Sequence, residues 1–364
     1  MTEIKGCIAP IFCACLATLL HTEFSQATPL TETCSTAAKA FLDSLSVDQR
    51  ADAIRQFDHV GRKKWTNLPG SRFRQEGLPF EQMTETQRIN GHRLVQCGLS
   101  SQGYQKAISI MRIDDYLVSQ MDEGTDLPPG FNFGSGYYWL GIFGDPTDGA
   151  PWGWQLDGHH LALNFTVANK TLEVTPAFVG IQPNVVPNGP YAGWRILGEE
   201  EDKAITLVSA LTETQRSIAI LGDRVPDEIF TGPDRGDVLT EVKGLSASDM
   251  TPDQRAHLQS LIEEYVLNMK PEAAEPLLAR IAEDGPEALH FAWMGGTTAG
   301  SAFYYRIHSP SVLIEFDHTL NLERVRAGVR EPDHNHIHTI LRQPGHDYGA
   351  DILRLHYERS HIND

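Results

Sequence analysis

The sequence predicts an α+β fold, with helix-rich segments around a largely antiparallel sheet. Three observations lead there. Helix-start motifs fall in two separate stretches of the chain. Segments with period-two alternation follow each of those stretches. The regular strand–helix alternation of a doubly wound sheet is missing, as are G-x-G-x-x-G, a P-loop and G-x-S-x-G.

The chain begins with Lys5, an apolar run from Cys7 to Leu20, and the small residues Ser25 and Ala27 in small-x-small spacing. The run of about 14 residues is short for a span, which needs roughly 20. It reads as a secretory signal peptide over residues 1–27, cut after Ala27. Glu3 and Pro10 depart from the ideal pattern, and an uncleaved anchor is the other reading. Residues 28–364 then form a single integrated domain. Cleavage removes Cys7, Cys13 and Cys15 and leaves Cys34 and Cys97. An oxidising compartment permits a disulfide between those two; the alternative is a pair of buried thiols.

Helical spacing at Ala38, Phe41, Leu42 and Leu45, and again at Ile108, Met111 and Tyr116, gives a helical stretch over about 33–122. A β stretch follows over 131–208. Its glycine- and proline-rich opening, 128–154, holds too many aromatics for a linker and reads as an ordered loop or hairpin. In "HLALNFTV", His159, Leu161, Leu163, Phe165 and Val167 face one way and His160, Ala162, Asn164 and Thr166 the other. Residues 211–283 are helical again, 290–342 are β, and a last helix covers 349–360.

A short motif recurs within the helical stretches: "LSVDQR" at Leu45, "MTETQR" at Met83, "LTETQR" at Leu211 and "MTPDQR" at Met250. In each, Ser or Thr can cap the first free amides and the Gln three residues on can reach back, with the preceding Leu or Met as a staple. Pro252 suits the first helical position. The spacings suggest a paired helical unit used twice.

Thirty Lys and Arg stand against 48 Asp and Glu, a net charge of −18. That field repels nucleic acid and anionic membrane surfaces. The expected partner is a small-molecule or peptide/sugar substrate, with no nucleic acid and no integral membrane contact after signal cleavage.

The chemistry concentrates in "EPDHNHIHTILRQPGHDYG". His334, His336 and His338 alternate, so a strand would point all three to one face. His334, just after Pro332 and Asp333, sits at the strand entry. Asp157-Gly-His159-His160 and Glu315-Phe-Asp317-His318 lie on other predicted strands. Adjacent residues in a strand face opposite sides, so at most one of His159 and His160 joins a given site. A carboxylate inside "VLIEFD" is costly to bury unless paired, hydrogen-bonded or metal-bound. The expected ligands are His336, His338, Glu315 and His160, around a divalent metal ion: zinc, iron or copper. Asp157 or Asp317 would act as base or support a ligand from behind, and Asp333, Asn335 or Asp347 would orient ligands. Two other uses remain open. Glu315 and Asp317 could pair with Arg306, Arg342 or Arg354 as a structural network, or a His–carboxylate pair could work without metal. The tryptophans Trp139, Trp152, Trp154, Trp194 and Trp293, with Tyr137, Tyr138, Tyr304 and Tyr305, read as core first and as a sugar or peptide platform second.

The segments "WGWQLDGHHLALNF", "FYYRIHSPSVLIEFD" and "NHIHTILRQPGHDYGADILRLHY" resemble an uncharacterised bacterial and fungal family with WGWQ-x-DGHHL, LIEFD and NHIHT motifs. The resemblance covers nearly all of the mature chain and implies one integral domain. It carries no activity or ligand set. The functional expectation is therefore an exported, metal-dependent enzyme, most simply a hydrolase. The alternatives are an iron or copper oxidoreductase on the same ligands and an extracytoplasmic ligand-binding protein with a structural His/carboxylate network.

Overall fold

All four recurrent motifs start helices, and each is a complete capping box. The pairs Ser46/Gln49, Thr84/Gln87, Thr212/Gln215 and Thr251/Gln254 bond reciprocally through side chain and backbone. The glutamines have a second task. Gln49 and Gln87 exchange amide hydrogen bonds of 3.2 and 2.8 Å, and Gln215 and Gln254 do the same at 2.8 and 2.9 Å. Each pair of capped helices thus starts side by side. This accounts for the matching separations of the motifs along the chain.

The structure is a computed structural model, and it describes residues 28–70, 76–121, 127 and 129–360. The expected signal peptide lies outside the described residues. The first half of the chain runs α1 (Leu30–Asp43), α2 (Val47–Ala53), β1 (Ile54–Arg55), β2 (Leu78–Pro79), α3 (Glu85–Gly98) and α4 (Ser101–Gln120). Four strands follow: β3 (Tyr138–Phe143), β4 (Trp152–Gly158), β5 (Leu161–Ala168) and β6 (Thr171–Ile181). The second half repeats the order. It runs α5 (Gly198–Ala210), α6 (Glu213–Ala219), β7 (Ile220–Gly222), β8 (Leu245–Ser246), α7 (Pro252–Val266) and α8 (Pro271–Asp284). Then come β9 (His290–Gly295), β10 (Phe303–His308), β11 (Leu313–Leu320), a short α9 (Leu322–Arg326), β12 (Pro332–Arg342) and the closing α10 (Ala350–Ser360).

The strands form one sheet in the order β1-β3-β4-β5-β6-β12-β11-β10-β9-β7, with β2 on β3 and β8 on β9. The order is palindromic. Each half contributes a four-stranded antiparallel meander flanked by a short parallel strand, β1 against β3 and β7 against β9. The halves join through the antiparallel pair β6–β12. Around that junction the helices meet as well: the Ser100 amide donates to Asn268 O and the Lys270 amide to Gly98 O, a reciprocal pair. The duplicated helical unit therefore extends to a duplicated sheet, an internal pseudo-two-fold arrangement.

One face of the sheet carries the helices. Leu161, Leu163, Phe165 and Val167 join Phe41, Leu94, Leu207, Leu261 and Leu277 in the main core. The disulfide Cys34–Cys97 ties α1 to α3 inside that layer. The other face carries a small cluster of Trp65, Ala162, Phe178, Ile229 and Ile340. Trp65 and Ile229 come from loops 56–70 and 223–244, which follow the equivalent strands β1 and β7. The functional side chains sit beneath these loops.

The helices and strands fall broadly within the stretches the sequence assigns, but loops 56–70 and 223–244 break the two helical stretches, and there are other departures. Residues 198–210 are helical within the expected β stretch, with Glu199, Glu200 and Glu201 in the first turn, where carboxylates favour the helix dipole. Two-residue β1 and β2, short β7 and β8, and five-residue α9 interrupt the other stretches. Segments this short carry no periodicity to read. The glycine- and proline-rich opening of the first β stretch is the β3–β4 hairpin.

Candidate metal centre

Strand β12 points His336, His338, Ile340 and Arg342 toward the loop-covered face. His334 begins the same alternation but is exposed at the strand entry. His338 stands directly across from Gly180 on β6 and from Asp317 on β11. The Gly180 amide donates to the His160 carbonyl at 2.7 Å. His160 occupies the β4–β5 turn with φ of 61°, a left-handed conformation that most side chains avoid. The turn swings its ring over Gly180 toward β12.

Three imidazoles converge as a result. His160 Nε2 lies 2.9 Å from His336 Nε2, and one ring nitrogen from each of His160, His336 and His338 falls within 4.8 Å of the others. All three residues are buried. Gly180 makes the approach possible. A Cβ there would lie 2.9 Å from His338 Cδ2 and 3.0 Å from His160 Cδ2.

Two of the rings are oriented from behind. His336 Nδ1 donates to the Leu320 carbonyl at 2.9 Å. His338 Nδ1 donates to the Glu228 carboxylate at 2.7 and 2.9 Å. Both partners are acceptors, so each ring holds its proton on Nδ1 and presents a lone pair on Nε2. His338 Nε2 is buried and has no partner among the described residues. Asn67 donates to Glu228 Oε2 at 3.3 Å, and its carbonyl accepts from the His160 amide, so loop 56–70 braces two sides of the cluster. Burial pushes the Glu228 carboxyl up, but the facing His338, with the Ile229 amide and Asn67, outweighs it and holds the group below its usual range. Burial, with the neighbouring imidazoles, holds His160 and His336 well below theirs, which keeps these rings neutral.

His159 stacks on His160 with ring centroids 3.8 Å apart, but its own polar partner lies elsewhere. Its Nδ1 meets Asp114 Oδ1 of α4 at 2.6 Å, and the Tyr138 hydroxyl bonds the His159 carbonyl at 2.6 Å. One histidine of the adjacent pair enters the cluster and the other braces the turn.

The carboxylates singled out in the sequence divide. Glu315 is not brought to the histidines. Its oxygens accept from the Phe230 amide at 2.9 Å, the Thr231 amide at 2.8 Å, the Thr231 hydroxyl, and Tyr304 Oη at 2.7 Å. Four donors use up its lone pairs, and the group anchors loop 223–244, which carries Glu228. Asp317 neighbours His338 across the strands. It is buried, and both its oxygens lack partners among the described residues. Burial first, then Glu228 and Glu315, push its pKa well above the ordinary range. Asp157 lies under loop 56–70, where the Thr66 amide donates to it at 3.4 Å. Burial raises it as well, against the Thr66 and Gly158 amides.

The expected orienting residues serve other ends. Asp333 accepts from Asn321 and the Asn335 amide, the Asn335 carbonyl accepts from the Asn184 amide, and Asp347 pairs with Arg342. Arg354 pairs with Glu358. Among the described residues neither Glu315 nor Asp317 is held by an arginine. Sequence reasoning missed Glu228, Asn67, Gly180 and the Leu320 carbonyl. Three of them sit on irregular or turn-adjacent backbone, and a lone Glu in "VPDEIF" has no spacing to mark it.

Residues 27–350 match the model of a family described as "Protein of unknown function (DUF3500)". No curated protein and no solved structure matches the chain.

Proposed function

The chain belongs to the DUF3500 family, and we propose that this member is an exported metal-dependent enzyme, most simply a hydrolase, with His160, His336 and His338 as its metal ligands. One observation carries the reading. Three buried imidazoles converge, two of them fixed at Nδ1 by acceptors so that Nε2 faces the common space. Three protein ligands leave a fourth position for water or substrate, as in catalytic zinc sites. A bound divalent ion there lowers the pKa of a water and polarises a substrate group.

The chain's own residues then divide the work. Glu228 and the Leu320 carbonyl hold the ligand rings in one tautomer. Gly180 leaves room for two of the rings to meet. Asp317, beside His338, and Asp157, buried under loop 56–70, are the carboxyl groups available to hold a proton. The all-imidazole donor set suits zinc, copper or iron, so an oxidoreductase shares the same ligands and differs in the metal found. Export is supported by the signal-like residues 1–27 and by the Cys34–Cys97 bridge, a bond favoured in oxidising compartments.

A second reading rests on a single distance. At 2.9 Å, His160 Nε2 and His336 Nε2 can share a proton directly, as in a structural network inside a binding protein. Elemental analysis of untagged protein prepared with zinc, iron and copper present separates the two. Near-stoichiometric metal that disappears in His336→Ala and His338→Ala supports the enzyme reading. A metal-free wild type sinks it.

A further inference from the structure

Strand β10 turns Phe303, Tyr305 and Ile307 into the helix-side core, and therefore Tyr304, Arg306 and His308 toward the loop-covered face. Arg306 and His308 are each 5% exposed. Arg306 Nε and His308 Nδ1 are buried and have no hydrogen-bond partner among the described residues. The Arg306 Nη atoms and His308 Nε2 have none there either but are not shut off from solvent, so the pair keeps an opening. The cause lies on the two flanking strands. Glu315, directly across from Arg306 on β11, has its lone pairs taken by Phe230, Thr231 and Tyr304. Ala292, across from Arg306 on β9, offers a methyl group and no acceptor. His290, across from His308, donates from Nδ1 to the Ala288 carbonyl at 3.1 Å.

A buried guanidinium without a counter-charge is costly. Burial first, then the neighbouring Arg306, hold the His308 imidazole down to about 4, so a cation stands beside a neutral ring that can still donate. Two donors without acceptors call for an anion. The guanidinium fork matches a carboxylate bidentately. One cation and one neutral donor balance a single negative charge. A phosphate dianion would leave excess charge next to Glu315 and Asp317, on a chain of net charge −18. We propose that Arg306 and His308 form a binding site for the carboxylate of a small organic acid. Arg306 lies two strands from β12 and two residues along from the row Tyr304–Asp317–His338. That is a backbone separation of about 12 Å from His338. The assignment stands apart from the metal reading, because the two sites share no side chain.

The test is calorimetric titration and thermal melting of the full chain with acetate, succinate and benzoate. Acetamide is the neutral isostere and inorganic phosphate the competing oxyanion. At least one carboxylate is expected to bind with a Kd of order 1 mM and to raise the melting temperature. Arg306→Met keeps the stem and removes the fork. It should weaken binding about tenfold or more and, without carboxylate, melt no lower than the wild type, since no contact of the guanidinium is lost. His308→Phe, which keeps a ring and removes the donor, should weaken binding severalfold. Four results would overturn the assignment: no carboxylate binds, acetamide or phosphate binds as tightly, Arg306→Met binds unchanged, or ligand-free Arg306→Met melts well below the wild type. Repeating the titration with phenanthroline, a chelator that carries no carboxylate, should change nothing. Binding lost there would put the carboxylate on a metal at the histidine cluster, against this site and in favour of the other.

Discussion

Gly180 lies directly across from His338, and its missing side chain lets His160 and His338 bring their rings over the same strand. Its φ is not among the positive values, so backbone freedom does not require glycine here; the need is for space. Gly180→Ala places a methyl group 2.9 and 3.0 Å from the two rings. Overpacking of this kind costs about 1–3 kcal/mol. The variant is expected to fold, to melt a few degrees lower, and to lose most of its bound metal. Metal analysis and thermal melting on the same preparation check this. Full metal content in Gly180→Ala would show that the rings do not need the gap.

Glu228 fixes the tautomer of His338 through two hydrogen bonds of 2.7 and 2.9 Å. Glu228→Gln keeps the shape and removes the charge. Partners behind a ligand histidine contribute about 10- to 100-fold in metal affinity. A drop of that size is expected from competition with a metal-binding dye. In a dry structural network the same variant would alter stability alone.

Glu315 tests the difference between ligand and anchor. A ligand role expects Glu315→Gln to lose metal as the inner histidine variants do. The structure gives the carboxylate four donors from Phe230, Thr231 and Tyr304. An amide there turns a donor toward donors, at a cost on the order of 3 kcal/mol. The expected result is a lower melting temperature with metal stoichiometry kept when the protein is folded. Loss of metal at unchanged stability would return Glu315 to the ligand set.

The bridge Cys34–Cys97 closes a sequence separation of 63 between α1 and α3. Removing a link over a loop of that size costs about 4 kcal/mol in the chain-entropy account. Peptide mapping without reductant should join the two cysteine peptides, and Cys34→Ala/Cys97→Ala should melt well below the wild type. Free thiols at both positions in the folded protein would contradict the bridge.

What the sequence discloses and what it hides follow from the range of each interaction. Capping boxes are local, so Ser46, Thr84, Thr212 and Thr251 announce their helices within four residues. Strand alternation is also local, so the face of His336 and His338 is legible. It does not sort the adjacent pair: His159 and His160 lie in the β4–β5 turn with stacked rings, and the bond to Asp114 directs His159 away from the cluster. The sharing of one site by β12 and the β4–β5 turn depends on β6 joining β12 across the middle of the chain, a pairing with no local mark. Glu228 and Asn67 reach the site from two loops that occupy equivalent places in the duplicated halves. Position in a duplicated topology appears only once the sheet is assembled. Glu315 shows the converse. A buried carboxylate in an apolar run does signal a special environment, but the run cannot say whether metal or backbone amides will satisfy it.

Glu173 offers a test of the fold away from the histidines. It lies on β6, 6% exposed, with Arg280 3.6 Å away. Burial, then the nearby Asp351, raise its pKa from 4.5 to about 8, against the pull of Arg280. The folded chain therefore keeps a proton that the unfolded chain releases above about pH 4.5. Its contribution to stability is fully present below that pH and is lost as the pH rises through about 8. Within the window the slope is about 1.4 kcal/mol per pH unit. Glu173→Gln mimics the protonated form and removes the slope. The variant and the wild type should melt together near pH 4.5, and the variant should melt higher at pH 8, by several degrees. Melting curves that run parallel across this range would mean that the carboxylate is ionised in the fold, with Arg280 compensating it fully.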